Sequence, residues 1–254
     1  MSEESDKRDK FSTQAEVYAK FRPGYPQELI DFLLSTVSER KAAWDCGTGN
    51  GQLATRLSPH FEKIYATDIS KSQIGNASRM DNIDYRVEPA ERTAFVDNFF
   101  NLITVAQAVH WFDFSKFYQE VNRTLKTDGV LAIIGYSLCK VDTGTDAVIH
   151  HFHTNILRSY WDQERKYVDA HYRNVPFPFA ELPTRVIVAT HDWTIDRMIG
   201  YLNSWSAVQE FIRSNNQNPI DLIVDQLRSS WEGGATKRVT FPMFVRLGKK
   251  TPQP

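Results

Sequence analysis

Short apolar segments alternate with amphipathic ones along residues 41–140, and this alternation limits the possible folds more than any other feature. Five segments have the length and the β-branched content of buried strands: KAAWDC, KIYATDIS, IDYRVE, FFNLITVAQ and GVLAIIGYS. The segments between them carry apolar residues at helical spacing, as Phe114, Phe117, Val121 and Leu125 do. Strands that alternate with helices are typical of parallel sheets covered by helices on both faces. The sequence therefore predicts an α/β fold with a doubly wound, mostly parallel sheet.

Two more strands are expected after this region, in TRVIVATHDW and KRVTFPMFVRLGKK, which gives a sheet of seven strands. Because Pro242 cannot donate a backbone hydrogen bond, we expect the last strand at or near a sheet edge. Residues 141–182 break the alternation and are rich in aromatic residues, which indicates a helical cap inserted after the fifth strand.

The domain organisation follows from the same segments. Residues 1–10 are mostly charged or polar and are expected to be a disordered tail. We expect a single domain over residues 11–254. It comprises an N-terminal helical lid at 11–40, a ligand-binding core at 41–140, the cap at 141–182, and C-terminal strands and helices at 183–250.

The composition indicates a globular protein without a strong electrostatic partner. Its 254 residues carry a net charge of −1, so binding to nucleic acid or to an anionic membrane is not expected. The sequence shows no signal-peptide core and no apolar stretch long enough to span a membrane. The two cysteines, Cys46 and Cys139, match no metal-ligand or disulfide pattern. We expect a cytoplasmic protein that is a monomer or a homodimer.

The segment AAWDCGTGNGQLATRLS, residues 42–58, joins the first strand to a helix through a glycine-rich loop. Gly47, Gly49 and Gly51 alternate along it, and glycine lets the backbone approach a ligand closely. Doubly wound sheets bind ligands at the carboxyl ends of their strands, near this first turn. Asp68 ends the next strand, where an acid is placed to accept hydrogen bonds from ribose hydroxyls. The pattern indicates a Rossmann-like, nucleoside-binding fold.

The loop is a poor phosphate site. Gln52 and Leu53 stand where a P-loop has Lys and Ser or Thr. Residues 49–54, GNGQLA, formally fit the dinucleotide fingerprint of nicotinamide-dependent oxidoreductases, so that function stays open. The carboxylate of Asp45 just before the loop would repel a pyrophosphate, however, and would suit an ammonium group.

The motif WDCGTGNGQLA together with IYATDIS resembles the first two cofactor motifs of the class I S-adenosylmethionine-dependent methyltransferases. AEVYAKFRPGYP is similar to an N-terminal motif of small-molecule methyltransferases related to trans-aconitate and cantharidin methyltransferases. NLITVAQAVHWFD and VNRTLKTDGVLAI resemble the fourth-strand motif and the following helix and strand of the same group. The resemblance covers residues 11–137 and implies a methyltransferase type 11 domain, with residues 41–140 as the S-adenosylmethionine-binding core.

The resemblance also implies which residues bind the cofactor. Asp68 would bind both ribose hydroxyls, Ile69 would pack on the adenine ring, and Arg22 would pair with the carboxylate of the methionine portion. Pro89 stands where many relatives carry an acid that binds the adenine amino group, so Ala90 and Glu91 are expected to take over that edge. The complete set of candidate cofactor-binding residues is Tyr18, Arg22, Asp45, Gly47, Thr48, Gly49, Asp68, Ile69, Ala90, Glu91 and Gln107.

For the acceptor, the resemblance implies a small molecule methylated on a carboxylate or hydroxyl oxygen. Tyr25, His110 and Trp111 are the candidate substrate-binding residues. A carboxylate acceptor needs no base, whereas a hydroxyl acceptor would be helped by one, and His110 is the first candidate. A non-catalytic nucleoside-binding protein of the same fold remains a further alternative. His150, His151 and His153 lack a partner at metal-ligand spacing, so we expect no metal site.

Overall fold

The computed structural model describes residues 21–231 and 236–251. The predicted disordered tail, the first third of the predicted lid and the candidate Tyr18 lie outside the described residues.

The described helices and strands follow the predicted alternation. In chain order they are α1 (Gln27–Ser35), β1 (Ala42–Cys46), α2 (Gln52–Leu57), β2 (Lys63–Asp68), α3 (Lys71–Gly75), β3 (Ile83–Val87), β4 (Phe100–Ala106), α4 (Phe114–Thr124), β5 (Leu125–Tyr136), α5 (Thr143–His151), α6 (Arg165–Asp169), β6 (Ala180–Leu182), β7 (Ile187–Trp193), α7 (Ile195–Asn203), α8 (Ser206–Asn215), α9 (Val224–Ser230) and β8 (Lys237–Lys249). Short 3₁₀ turns include Ser58–His60, Val109–Trp111, Arg158–Tyr160 and Pro219–Leu222, and Phe152–Ile156 form a π-helical turn.

Several of these helices begin at a residue whose side chain satisfies a free backbone N–H. Asp113 accepts from the N–H of Lys116 at the start of α4, and Asp142 accepts from that of Thr145 at the start of α5. Because the first four N–H groups of a helix have no partner within it, such side chains fix the starting point. The sequence therefore determines where the helices that flank the site begin.

The sheet has the order β3-β2-β1-β4-β5-β8-β6, and β7 also pairs with β8. Strands β1 to β5 pair in parallel, whereas β8 runs antiparallel to β5, β6 and β7. This arrangement confirms the predicted doubly wound, mostly parallel sheet. It also brings the ends of β1, β2 and β4 to one edge, beside the glycine loop.

The predicted number of strands was wrong. The described strands number eight rather than seven, because β6 forms within the segment expected to be the helical cap. The last strand lies next to an edge, as predicted, since β6 and β7 pair with the side of β8 that faces away from β5. Pro242 is tolerated inside the sheet because it lies one residue before Met243, which forms the last β5–β8 pair with Tyr136. Its carbonyl still accepts from Ser137 N, so its missing N–H falls where that ladder ends.

Apolar residues cover both faces of the sheet, as the alternation of strands and helices along the chain predicts. Strand β1 is buried along its whole length. Ala43 packs in one core cluster with Leu29 and Leu53, whereas Trp44 packs on the other face with Phe117. A rigid sheet between two apolar layers holds the ends of its strands in fixed positions. Among the described residues, no helix has the length and apolar character needed to cross a membrane.

Candidate functional site

A cleft opens at the carboxyl ends of β1, β2 and β4, where the loops after these three strands meet. Each predicted cofactor-binding residue within the described part of the chain lines it: Arg22, Asp45, Gly47, Thr48, Gly49, Asp68, Ile69, Ala90, Glu91 and Gln107. Tyr25 and Trp111, which were predicted to contact substrate, also line it. The structure therefore brings the predicted set together in one place.

The glycine loop adopts a backbone that only glycine takes easily. Gly47 and Gly49 have φ angles of 66° and 57°, in the left-handed region. A Cβ on Gly47 would also lie 2.6 Å from the Cβ of Ala108, which follows β4. The sequence pattern thus reflects both a dihedral requirement and a close approach between the two loops that form the cleft.

Asp45 anchors this loop through side-chain hydrogen bonds. Its Oδ2 accepts hydrogen bonds from Thr48 Oγ1 at 2.5 Å and from Ala54 N at 3.2 Å, and its Oδ1 accepts from Thr104 Oγ1 at 2.8 Å. Burial raises the pKa of Asp45 to about 6, although these hydrogen bonds oppose the increase. Asp45 is thus a buried anchor that joins the loop, α2 and β4 while bordering the cleft.

We expect Asp45→Asn to remove part of the pH dependence of stability. A carboxyl whose pKa is higher in the folded state stabilises the fold at low pH and loses that contribution as pH rises. From 3.8 to about 6, this amounts to about 3 kcal/mol. Urea unfolding of both proteins should show wild type losing about 2 kcal/mol relative to the variant between pH 4 and pH 7, because at pH 4 the carboxyl of the unfolded chain is already more than half ionised. Parallel pH profiles would contradict the assignment.

Asp68 lies at the end of β2 and is already oriented by the backbone. Gly49 N donates to its Oδ2 at 2.9 Å, and Ser70 N donates to its Oδ1 at 2.8 Å. Two backbone donors hold the carboxylate in one rotamer beside the glycine loop. The next residue, Ile69, leaves 41% of its surface exposed in the wall of the cleft. An ordered acid next to an exposed apolar face suits a ribose that carries a flat base.

The far end of the cleft is formed by the loop after β3. Ala90 is buried, and the side chain of Glu91 turns towards α4, where its Oε1 accepts from Asp113 N at 3.0 Å. Glu88 also lines the cleft, although its Oε2 accepts from Ala94 N at 3.2 Å. This loop is thus built from carboxylates that bind backbone donors.

A second cavity adjoins the cleft. The two share Arg22, Gln107, Trp111 and Tyr136 in their walls. The remaining lining of the second cavity comes from His110, from the end of β5, from the cap and from the α7–α8 region: Ser137, Leu138, Trp161, Asp162, Arg165, Val168, Tyr201, Trp205 and Ser206. Two ligand spaces with a common wall are what a reaction between two bound molecules requires.

Arg22 is fixed at this common wall. Its Nη1 donates to Tyr136 Oη at 3.1 Å, and its Nη2 donates to the carbonyl of Ser204 at 2.9 Å. The guanidinium also lies 5.8 Å from the centre of the Tyr201 ring. Gln107 has a left-handed φ of 55°, and its Nε2 donates to the carbonyl of Tyr136 at 3.2 Å. The wall therefore joins the N-terminal segment, β4, β5 and α7.

His110 lies in the second cavity and does not line the cleft. Its Nδ1 is 2.9 Å from Tyr172 Oη. Burial, and then the nearby charge of Arg165, lower the pKa of His110 to about 3. The imidazole is neutral at pH 7 and binds a proton weakly. This finding speaks against the predicted general-base role of His110.

Sequence reasoning missed several residues of these walls, among them Tyr136, Arg165 and Trp205. Tyr136 ends β5 at the same edge as Gln107, and that position could have identified it. No sequence pattern indicated Arg165 or Trp205, because their positions in the cavity wall depend on how the cap and α8 pack. Of the cap aromatics considered for an apolar pocket, Trp161 lines the second cavity. In residues 21–231 and 236–251, no group of three or more His, Cys, Asp or Glu side chains is placed to hold a metal ion.

Comparison with known proteins extends these observations. A family model described as a methyltransferase domain matches residues 44–133. A protein of Dictyostelium discoideum named "Putative methyltransferase" is 36% identical over 250 residues, which are 95% of each chain. A solved structure from Anaeromyxobacter dehalogenans, described as "a Putative Type II Methyltransferase", matches with a TM-score of 0.85 and 36% identity. It covers 92% of this chain and 100% of its own.

A more distant relative matches about half of the chain. A Saccharomyces cerevisiae protein named "Probable S-adenosylmethionine-dependent methyltransferase" is 25% identical over 128 residues, 47% of this chain and 44% of its own. The likeness to the Dictyostelium and Anaeromyxobacter proteins, in contrast, includes the cap and the C-terminal strands.

Proposed function

Because the chain belongs to the class I S-adenosylmethionine-dependent methyltransferases, we propose that it methylates a small-molecule acceptor on a carboxylate or hydroxyl oxygen. The observation that carries this proposal is the pair of adjoining cavities with a common wall. We assign the cleft to the cofactor and the second cavity to the acceptor, and we call the latter the acceptor cavity.

The residues of the cleft fit the cofactor of this family. Asp68 offers a pre-oriented carboxylate to the ribose, and Ile69 offers apolar surface to the adenine. The left-handed backbone at Gly47 and Gly49 leaves room for the methionine portion. When bound, the cofactor supplies an electrophilic methyl group, whereas the protein supplies binding and orientation.

The chain's own residues align the reactants and exclude water. Arg22, Gln107 and Tyr136 are cross-linked by hydrogen bonds, so the common wall is rigid. Rigid residues that line both cavities hold the two reactants at fixed positions, which reduces the entropy lost on reaching the transition state. No side chain has to act as a nucleophile, because the acceptor oxygen does so. A carboxylate acceptor is already ionised at pH 7, which fits a His110 that is a weak base.

The lining of the acceptor cavity suits a small molecule. Trp161 and Trp205 bring aromatic surface from the cap and from the start of α8. Such a space admits a compact apolar body with a polar group. The net charge of −1 gives no support to a nucleic acid acceptor.

Calorimetric titration tests the cofactor assignment directly. S-adenosylmethionine, S-adenosylhomocysteine and NAD are titrated in parallel into wild type, Asp68→Ala and Asp192→Ala. Asp192 is exposed on β7 and does not line the cleft, so its replacement is the matched control. Wild type should bind both sulfur nucleosides and not NAD. Loss of a charged hydrogen-bond acceptor costs about 1.5–3 kcal/mol, so Asp68→Ala should bind about tenfold to hundredfold more weakly.

Two outcomes would count against the proposal. Preference for NAD would restore the oxidoreductase alternative. Unchanged binding in Asp68→Ala would remove Asp68 from the site. If binding is as expected, methyl transfer from the cofactor to a set of small carboxylic acids and alcohols identifies the acceptor class.

A further inference from the structure

Arg165 brings an available positive charge to the acceptor cavity. It begins α6 in the cap, and its Nε donates to Asp169 Oδ1 at 2.8 Å. Its guanidinium lies 4.6 Å from the centre of the Trp161 ring. Within residues 21–231 and 236–251, its two terminal nitrogens donate no hydrogen bond, although only 25% of the side chain is exposed. A partly buried arginine whose terminal nitrogens are accessible and have free donors is suited to an anionic ligand.

Asp169 pairs with Nε of Arg165 and compensates part of its charge, while the two terminal nitrogens of Arg165 stay available. Two arginines and one aspartate, Asp162, line the cavity in the described part of the chain. Arg22 already donates to Tyr136 and Ser204 at the common wall. Arg165 therefore remains the cation whose donors are free for a ligand.

His110 offers a neutral donor beside Arg165. Helix α6 packs against the Val109–Trp111 turn, and both side chains line the cavity. Tyr172 Oη is 2.9 Å from His110 Nδ1 and 3.5 Å from Gln107 Oε1. The Tyr172 hydroxyl has one proton for these two acceptors, and its contact with Gln107 Oε1 is long for a hydroxyl hydrogen bond, so we assign the proton to the shorter contact, with His110 Nδ1. A neutral imidazole that accepts at Nδ1 carries its own proton on Nε2.

We propose that Arg165 and the Nε2–H of His110 form a carboxylate-binding subsite of the acceptor cavity, with Tyr172 as the positioning residue that fixes the tautomer of His110. The subsite rests on the proposed function in one respect, because it takes this cavity to be the one that holds the acceptor. A guanidinium and a neighbouring N–H can each donate to one oxygen of a planar carboxylate. The aromatic rings of Trp161 and Trp205 contact the remainder of the molecule.

The subsite changes what His110 does. It donates a hydrogen bond to the acceptor instead of removing a proton from it. Its lowered pKa keeps it neutral at pH 7, so it remains in the form that Tyr172 selects. A carboxylate in this subsite would form the new oxygen–carbon bond from an oxygen electron pair while the methyl–sulfur bond of the donor breaks and leaves its electron pair on sulfur, so no proton is released.

Nitrogen NMR of the histidine rings tests the tautomer without any ligand. The protein is labelled with ¹⁵N-histidine and compared at pH 7 with His110→Asn, which identifies the His110 signals. We expect Nε2 protonated and Nδ1 unprotonated in wild type, and a mixture of tautomers in Tyr172→Phe. The phenylalanine ring keeps the packing of the buried tyrosine, so a purely structural role would not alter the tautomer. Protonated Nδ1 in wild type would overturn the proposal.

Benzoate and benzamide test the charge preference, since they differ in the carboxylate alone. Binding is followed through the same His110 signals in wild type, Arg165→Gln and Lys166→Gln. Lys166 lies on the same helix but does not line the cavity, so its variant removes an equal charge as the control. We expect benzoate to bind wild type and Lys166→Gln at least tenfold more tightly than benzamide, and Arg165→Gln to lose that preference. Equal binding of the two ligands by wild type would refute the subsite, as would an unchanged preference in Arg165→Gln.

These measurements separate the subsite from the proposed function. Calorimetry with S-adenosylmethionine on the same samples reports the cleft alone. If the cofactor binds and the benzoate preference is absent, the subsite fails and the methyltransferase proposal stands. If the preference is present and the cofactor does not bind, the proposed function fails instead.

Discussion

Gly47→Ala is expected to weaken binding of S-adenosylmethionine by more than a hundredfold and to destabilise the fold. An L-residue in the left-handed region costs about 1–2 kcal/mol. The new Cβ would lie 2.6 Å from the Cβ of Ala108, so one of the two loops must move. Overpacking of this kind costs about 1–3 kcal/mol more. Because Ala108 follows Gln107, the movement also displaces the wall shared by the two cavities.

Two other glycines allow the cost of the left-handed backbone to be measured apart from the cost of a steric clash. Gly49 also has a positive φ, but the nearest atom to its added Cβ is Gln73 Oε1 at 3.8 Å. Gly49→Ala should show the dihedral strain alone. Gly24→Ala meets nothing within 4 Å and should be nearly neutral. Urea unfolding of the three variants should give Gly47→Ala the lowest free energy of unfolding. Calorimetry should give it the weakest affinity for S-adenosylmethionine. Wild-type affinity in Gly47→Ala would show that the loop conformation is unimportant for the cofactor.

The cofactor cleft could be predicted because its determinants are local. Apart from Tyr18 and Arg22 in the predicted lid, the candidates stand near or just after the end of a predicted strand, as Asp45, Asp68 and Gln107 do. In a doubly wound sheet these ends meet at one edge whatever the details of packing. The glycine pattern adds a backbone requirement that short stretches of sequence display directly. Locating the strands was therefore enough to locate the cleft.

The acceptor cavity could not be predicted in the same way. Its distinctive contacts join residues far apart in the chain, as His110 and Tyr172 are, and arise from how the cap packs. Nothing in the sequence near Arg165 indicates that its charge faces a cavity. His110 was correctly placed after the fourth strand, but its neutral state depends on burial and on that arginine. The protonation state of a side chain such as His110 thus depends on surroundings that its position in the sequence does not reveal.

The position of the last strand illustrates the same limit. Pro242 suggested an edge because proline breaks a ladder of hydrogen bonds. The predicted position at or near an edge was confirmed, but the sequence did not show that β6 and β7 cover the outer side of β8, nor that the proline falls just past the ladder that β8 shares with β5. The sequence showed that Pro242 lacks a backbone N–H, but only the register of β8 against β5 showed that no N–H is needed at that position.

Glu120 on α4 holds the loop that forms the far end of the cleft. It is buried, and its Oε1 accepts from Thr93 N at 2.8 Å and from Arg123 Nη2 at 2.7 Å. Its Oε2 accepts from Arg123 Nε at 2.9 Å, and Arg123 Nη1 donates to the carbonyl of Phe95 at 2.6 Å. These bonds clamp residues 93–95 onto α4, directly after Ala90 and Glu91. The clamp thus connects the stability of the fold with the shape of the cleft.

Glu120→Ala should therefore impair both stability and cofactor binding. Arg123 is one-third exposed and keeps Asp97 and the carbonyl of Phe95, so the expected cost is that of losing charged hydrogen bonds to Thr93 and Arg123, about 1.5–3 kcal/mol. At about 2–4 °C per kcal/mol for a chain of this size, the melting temperature should fall by about 5 °C. We also expect S-adenosylmethionine to bind about tenfold more weakly, since the loop bearing Ala90 loses its attachment. Glu210→Ala removes an exposed glutamate paired with Arg213 and should change stability by less than about 0.5 kcal/mol. Equal melting temperatures for the two variants would show that the clamp is not needed to hold the loop.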